Sequence, residues 1–235
     1  MPLIQFEFAP HARDLVEHRL TIAAVHHGKQ VVAPVRQPAR PPIAQGDGAF
    51  AVLDEPFSSD GTRLAGKALQ DRAACALLAH LAGEGKAQVQ GCTFAFFCQG
   101  QLGLYGLRLA LRALAPNAVI LVRGLRHAAR VDPQGSALLA GAGPVLVLRH
   151  GHSLSHSSLV AACESAASET GIALQRAVLG STRPRSAAAE AVLSGIPLLE
   201  IGFAVIDAES PRQGVEMGDL EQLVSLLSTL AARLA

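Results

Sequence analysis

Pro144-Val-Leu-Val-Leu148, Ser153 to Thr170, Gly171 and Ile172-Ala-Leu-Gln-Arg-Ala-Val178 read in succession as a buried strand, a helix, a helix stop and a second strand. The first run is continuously apolar, as a strand covered on both faces must be. Ser153 has the side chain expected of an N-cap, and Gly171 tolerates the left-handed conformation that ends helices. The pattern recurs downstream. Ser186–Ser194 reads as a helix closed by Gly195 and leading into the strand Pro197–Val205. Leu220, Leu223, Val224, Leu227, Leu230 and Leu234 then repeat at helical spacing.

Working toward the start, Ala68–Ala82 carries Leu69, Ala73, Leu77 and Leu81 along one helical face. Val89–Cys98 is apolar and aromatic, as in a strand buried on both faces. Leu104–Leu114 is a short helix ended by Pro116, and Ala118–Val122 is another strand. Alternating strands and helices imply an α/β fold: a mixed, mainly parallel sheet with helices on both faces. The first 65 residues have a different texture. Leu20–Val25 and Gln30–Val35 flank His26-His27-Gly28-Lys29 as a hairpin. Pro34, Pro38, Pro41 and Pro42 then forbid a helix and force an extended crossing, and Ala49–Leu53 supplies a third strand. The expected organisation is a short N-terminal strand and small β-rich lobe over residues 1–65, then an α/β domain over 66–235.

Composition narrows the function. Of 235 residues, 50% are hydrophobic and 17% charged, enough apolar material for a large core. Twenty Lys+Arg against nineteen Asp+Glu leave a net charge of +1, which argues against nucleic acid or an anionic membrane surface as partner. The longest apolar stretch, Val192 to Ile206, is broken by Gly195, Pro197 and Glu200, so no membrane span is expected. Met-Pro-Leu-Ile-Gln-Phe-Glu-Phe has no basic region ahead of an apolar one, so a signal peptide is not expected and a cytoplasmic location is. Cys75, Cys92, Cys98 and Cys163 form no CxxC pair and stand among apolar or small residues. They are expected to be reduced core residues of an intracellular protein.

Gly66-Lys-Ala-Leu-Gln-Asp-Arg72 is the most informative motif. It resembles the Gly-Lys-Ala-Leu-Asp-Asp-Arg helix start of the tetrahedral, or deblocking, aminopeptidases, a family of dinuclear metallo-exopeptidases. Gln99-Gly-Gln-Leu-Gly103 is similar to that family's Gln-Glu-Glu-Val-Gly. Ile120-Leu-Val-Arg123, followed by Asp132-Pro133 and Gly141-Ala-Gly-Pro144, resembles its strand bearing Val-Asp and the loop beyond. Gly180-Ser-Thr-Arg183 resembles Gly-Gly-Thr-Asp. Ser210-Pro211, then Val215-Glu-Met217, resembles the closing His-Ser-Pro-Val-Glu. The matches run in order from about Gly46 to Leu230. They imply a zinc-exopeptidase-like fold whose β-rich lobe is truncated here.

The resemblance also implies a ligand set, and this chain departs from it. The bridging aspartate is Gln70. The adjacent glutamates, general base and ligand, are Gly100 and Gln101. The next aspartate ligand is Arg123, and the aspartate of Thr-Asp is Arg183. The late histidine falls on Glu209, or on Arg212 if no gap intervenes; His11 is the nearest candidate for the early one. An amide is a poor bridge and a guanidinium cannot ligate a cation. The general base is also missing. No metal and no cofactor are therefore expected. Gln70, Gln101, Arg123 and Arg183 become candidate ligand-binding residues of a cleft lined with amides and guanidiniums, suited to a small anion.

Three further features carry rival chemistry. His150, His152 and His156 stand close enough in sequence to form a new transition-metal site. The same segment pairs serines with histidines, but no Gly-x-Ser-x-Gly elbow is present. Gly61, Gly66 and Lys67 miss the phosphate-loop pattern, because Ala68 follows the lysine. The expected function is that of a non-catalytic homologue of a metalloaminopeptidase, binding, scaffolding or regulating, with a protein partner or itself as a homodimer or small oligomer. The alternative is an active aminopeptidase-type hydrolase with a rearranged metal site.

Overall fold

Val25 opposite Gln30 and Ile22 opposite Ala51 fix a small antiparallel sheet from β1 (Leu20–His26), β2 (Lys29–Pro34) and β3 (Gly48–Leu53), in the order β2-β1-β3. The hairpin expected around His26 to Lys29 is present. The computed structural model describes residues 20–26, 29–34, 48–53, 55–84, 91–97, 104–128, 137–180 and 187–234. It divides into two compact units, Met1–Ser58 and Ser59–Ala235.

The chain continues with β4 (Ser58–Ser59), at the boundary of the two units, then β5 (Arg63–Gly66), α1 (Leu69–Glu84), α2 (Tyr105–Leu114), β6 (Val119–Arg126), β7 (Val145–His150) and β8 (Ser153–Leu154). It closes with α3 (Ser157–Thr170), β9 (Gln175–Leu179), α4 (Ala187–Leu193), β10 (Leu198–Ile206), β11 (Gln213–Glu216) and α5 (Met217–Leu234). One sheet runs β4-β5-β11-β10-β7-β8, with β6 added on β10 and β9 on β7. Its longest pairings are parallel: β6 with β10 from Leu198 opposite Val119 to Val205 opposite Arg126, and β9 with β7. The shorter pairings of β10 with β7 and β11, of β11 with β5 and of β7 with β8 are antiparallel. The fold is thus mixed α/β, as the element pattern implies.

Burial along β10 shows why its sequence is almost wholly apolar. Leu199, Ile201, Phe203 and Val205 face a core shared with Leu69, Leu77 and Leu81 of α1, Leu159 and Cys163 of α3, and Leu223, Leu226 and Leu230 of α5. Alternation puts Leu198, Glu200, Gly202 and Ala204 on the opposite side, where Leu198 packs with Ala191 of α4 and Leu121 of β6. Fully burying each leucine of α5 stabilises the fold by roughly 1.5–3 kcal/mol relative to exposure. A β-carbon at Gly202 would collide with the carbonyl oxygen of Arg123, its partner on β6, so only glycine lets these strands approach.

Two sequence expectations fail here. Residues 91–97 form no strand: Phe94 and Phe97 pack partly buried against the cores while Phe96 is exposed. A short apolar run does not by itself specify a strand, and here only Phe94 and Phe97 turn toward the cores; the remainder of Val89–Cys98 lies outside the described residues. Ser153 is not an N-cap either. Gly151, at φ 60°, turns the chain back so that Ser153 pairs with His150, and α3 starts four residues later than Ser153, with His156 at its N-cap. The stop at Gly171 holds, with φ 67° and its N–H on the carbonyls of Ala167 and Ser168.

Candidate functional site

The motif at 66–72 opens α1 through a strained turn. Ala68 adopts φ 54°, a conformation costing an L-residue roughly 1–2 kcal/mol, and its carbonyl accepts from Asp71 N and Arg72 N. Gln70 N donates to Oε1 of the buried Gln213 at 2.9 Å, and Gln213 Nε2 donates to the Ala208 carbonyl. Gln213 thereby satisfies one of the free N–H groups of the first helical turn. The Gln70 amide is engaged as well: Nε2 donates to the Gly124 carbonyl of β6 at 3.2 Å.

Arg123 precedes Gly124, so Gln70 and Arg123 reach the same point of β6. They do so from opposite faces. Gln70 comes from the α1 side, whereas Arg123 shares the face of Glu200. Arg123 Nη1 lies 3.6 Å from Glu200 Oε1, and the arginine side chain keeps 33% of its exposure against 2% for the glutamate. The third member is His150, whose Nδ1 stands 3.0 Å from both Glu200 oxygens. An ionised carboxylate only accepts, so against an ionised Glu200 the donor in this contact is Nδ1–H.

A β-bulge makes this meeting possible. β7 and β9 pair Val147 with Ala177 but Arg149 with Val178, which leaves Leu148 as the extra residue. Val145 and Val147 face Ala177 and Leu179, while Leu146 and Leu148 face the helices of the main core. Unbroken alternation would send His150 after Leu146 and Leu148. The bulge flips the phase, so His150 pairs with Leu179 and turns toward Glu200. Ser155 braces the arrangement, its Oγ donating to the Val147 carbonyl and accepting from Glu200 N.

The three histidines that stand close in sequence do not converge. His152 is exposed, and the exposed His156 directs Nδ1 to Ser158 Oγ. Among the described residues no three His, Cys, Asp or Glu side chains come together as a metal-binding group. Glu209 is exposed and accepts from Arg126 at 2.9 Å, a surface pair of little energetic weight. Gln101 and Arg183, with Gly100, His11 and Asp132, lie outside the described residues. Glu200 and Gln213 were not singled out by sequence. A lone acid within an otherwise apolar, fully buried strand was the available signal for Glu200.

The cysteine expectation is corrected in part. Cys163 is buried, and burial pushes its thiol up to about 11, but Cys75 and Cys92 are exposed; all three are free. Cys75 lies between the buried Ala74 and Leu77 at a position of α1 that turns outward. Cys98 lies outside the described residues.

Comparison with known proteins places the fold. The TET aminopeptidase of a marine-sediment Thaumarchaeota archaeon superposes with a TM-score of 0.74 at 18% identity, over 92% of this chain and 71% of that one. The Pyrococcus horikoshii TET1 peptidase gives 0.70 at 19%, over 91% and 72%. A protein of Acetivibrio thermocellus named "Putative aminopeptidase" is 24% identical over 192 residues, 82% of this chain; the chain spans only 58% of that relative's length. No helix among the described residues is long and apolar enough to cross a membrane. The family model described as M42 glutamyl aminopeptidase matches residues 42–226, most of the sequence, and on that match the chain belongs to the M42 aminopeptidase family.

Proposed function

We propose that this chain is a non-catalytic member of its family, acting as a binding, scaffolding or regulatory subunit. One observation carries the reading: at position 123, which the sequence resemblance equates with a carboxylate ligand, stands a guanidinium, turned toward the buried Glu200 at 3.6 Å. Two divalent ions about 4 Å apart repel by roughly 16 kcal/mol at an effective dielectric constant of 20, and anionic ligands must offset that. Arg123 adds a positive charge instead. The Gln70 amide is neutral and already committed to the Gly124 carbonyl. The described residues at the ligand positions therefore do not fit a pair of dications.

Self-association belongs to the same reading. The P. horikoshii TET1 peptidase can assemble into a tetrahedron or a large octahedral shell. Here Tyr105 and Leu109 of α2 and Leu193 of α4 are exposed on two helices that touch. Such apolar surface supports a homodimer or small oligomer, which light scattering at micromolar concentration would read directly.

The catalytic question has a simple test. The purified chain is dialysed against zinc, cobalt or manganese, its bound metal is quantified, and leucine-anilide hydrolysis is followed. We expect neither stoichiometric metal nor turnover. Two equivalents of metal with turnover would replace this reading with that of an active aminopeptidase.

A further inference from the structure

Arg63, Arg108, Arg126, Arg176 and Arg233 each donate a hydrogen bond to a carboxylate. Arg123 does not. Its one ion pair, 3.6 Å from Glu200, is beyond hydrogen-bond length, and its guanidinium makes no hydrogen bond to any described residue. A guanidinium carries five N–H donors in a planar fork, and two thirds of this side chain is withdrawn from water. Its unbonded N–H groups still reach water, since no buried side-chain nitrogen among the described residues lacks a partner, so the fork can exchange that water for an acceptor supplied from outside.

Its surroundings select the acceptor's charge. Glu200 accepts from His150 through both oxygens and lies too far from Arg123 to hydrogen-bond it, though its charge still faces the guanidinium. The Nε2 atom of His150 has no partner among the described residues, and the side chain retains 14% exposure. The cluster thus offers a cation with free donors and an imidazole edge beside one fully buried negative charge. Glu200 holds the pieces in place, and the bulge at Leu148 delivers the histidine.

We propose that Arg123 and His150, organised by the buried Glu200, bind the carboxylate group of a small organic acid. The planar, two-oxygen carboxylate matches the guanidinium fork in shape and charge. The site rests on reading Arg123 as a binding residue rather than a relic beside a metal centre. It adds His150 and Glu200, which the sequence did not connect with Arg123, and it names the ligand class.

The test uses the full chain, with acetate, succinate and citrate as probes against chloride at matched ionic strength. Binding is followed by calorimetry and by thermal shift. The expected result is saturable binding of at least one carboxylate, weakened about tenfold or more in Arg123→Gln. It is weakened less in Arg123→Lys, and Arg126→Gln leaves it unchanged. If Arg123→Gln fails to fold, Arg123→Lys and His150→Asn carry the comparison, because each keeps a polar group in place. Absence of saturable carboxylate binding, an equal effect of chloride, or equal affinity in every variant overturns the proposal. A parallel zinc titration separates the two readings: metal uptake with turnover removes the non-catalytic one, whereas carboxylate binding without metal leaves both standing.

Discussion

A β-carbon built on Gly124 would stand 2.7 Å from the Cα of Gln70 and 2.8 Å from its carbonyl oxygen. The start of α1 therefore rests directly on the backbone of β6, and the glycine is what allows it. The nearest collision, with Val205 Cγ2 at 2.6 Å, is with a side chain, but the two with Gln70 are main chain, so no rotamer change relieves the contact. Gly124→Ala should destabilise the fold by about 1–3 kcal/mol, the usual range for overpacking. Gly83→Ala, within α1 but with nothing within 4 Å of the new carbon, should be neutral or stabilising by up to about 1 kcal/mol, since alanine is the better helix former. Urea denaturation of both variants reads the contrast. Equal stabilities would mean that α1 does not sit on β6 as described.

Glu200 gives a second prediction, independent of any ligand. Its side chain is 2% exposed and holds His150 at 3.0 Å with Arg123 beyond. Removing the acid leaves a cavity, takes away the hydrogen-bond acceptor of His150 and removes the negative charge that faces Arg123. Breaking a buried pair costs about 3–5 kcal/mol, but Arg123 and His150 reach solvent and recover some hydration. Glu200→Ala should therefore lose about 2–3 kcal/mol, and Glu200→Gln less. In a double-mutant cycle, His150→Asn should cost much less in the Glu200→Ala background than in the wild type. Additive losses would show that the two side chains do not interact.

The fold was largely legible because burial imposes period. Residues 145–148 of β7 and all of β10 but Glu200 had to be apolar or small, being covered on both faces, and Leu223, Leu226 and Leu230 mark the buried side of α5. The site was legible in its parts and not in its assembly. Arg123 and His150 both stood out as residues, but the histidine was grouped with His152 and His156 because those are near in sequence. What joined it to Glu200 and Arg123 was a bulge at Leu148 and the pairing of three strands. A bulge shifts one residue between faces without leaving a mark on composition. The hairpin that displaced Ser153 from a helix start has the same character: it depends on Gly151 reversing the chain, and a serine before a helical stretch suits either outcome.

Thiol chemistry should follow the burial of the cysteines. Cys75 and Cys92 are exposed, while Cys163 is buried with its thiol pushed to about 11 by burial first and by Glu164 second. Reactivity requires both thiolate and access. In a Cys98→Ser background, a thiol-specific disulfide reagent at pH 8 should label two cysteines rapidly. Cys163 should be released only on denaturation. Peptide mapping identifies the sites, and rapid labelling of Cys163 in the folded protein would contradict the packing of α3 against α5.

Asp219, in the first turn of α5, tests how burial and hydrogen bonding compete. Its carboxylate is 1% exposed and accepts from Gly141 N at 2.8 Å and Gly143 N at 2.9 Å. Gly143 is held at φ 92°, where an added β-carbon would also press on the Ala173 carbonyl at 2.5 Å. Burial, the largest influence, raises the acid above its ordinary value of 3.8; the two N–H groups pull it down, and Glu216 adds to the rise. The folded chain therefore keeps this proton to higher pH than the unfolded one. Wherever the native state binds more protons, stability falls as pH rises. The contribution of Asp219 is thus greatest below about 3.8 and declines as pH climbs through the raised folded value, then levels. Asp219→Asn does not titrate and can accept from only one of the two N–H groups well. The stability of the wild type relative to this variant, from urea curves between acid and neutral pH, should fall with rising pH and then plateau. A relative stability that rises over that range would show that the two glycine N–H groups outweigh desolvation, and would reverse the assignment of cause.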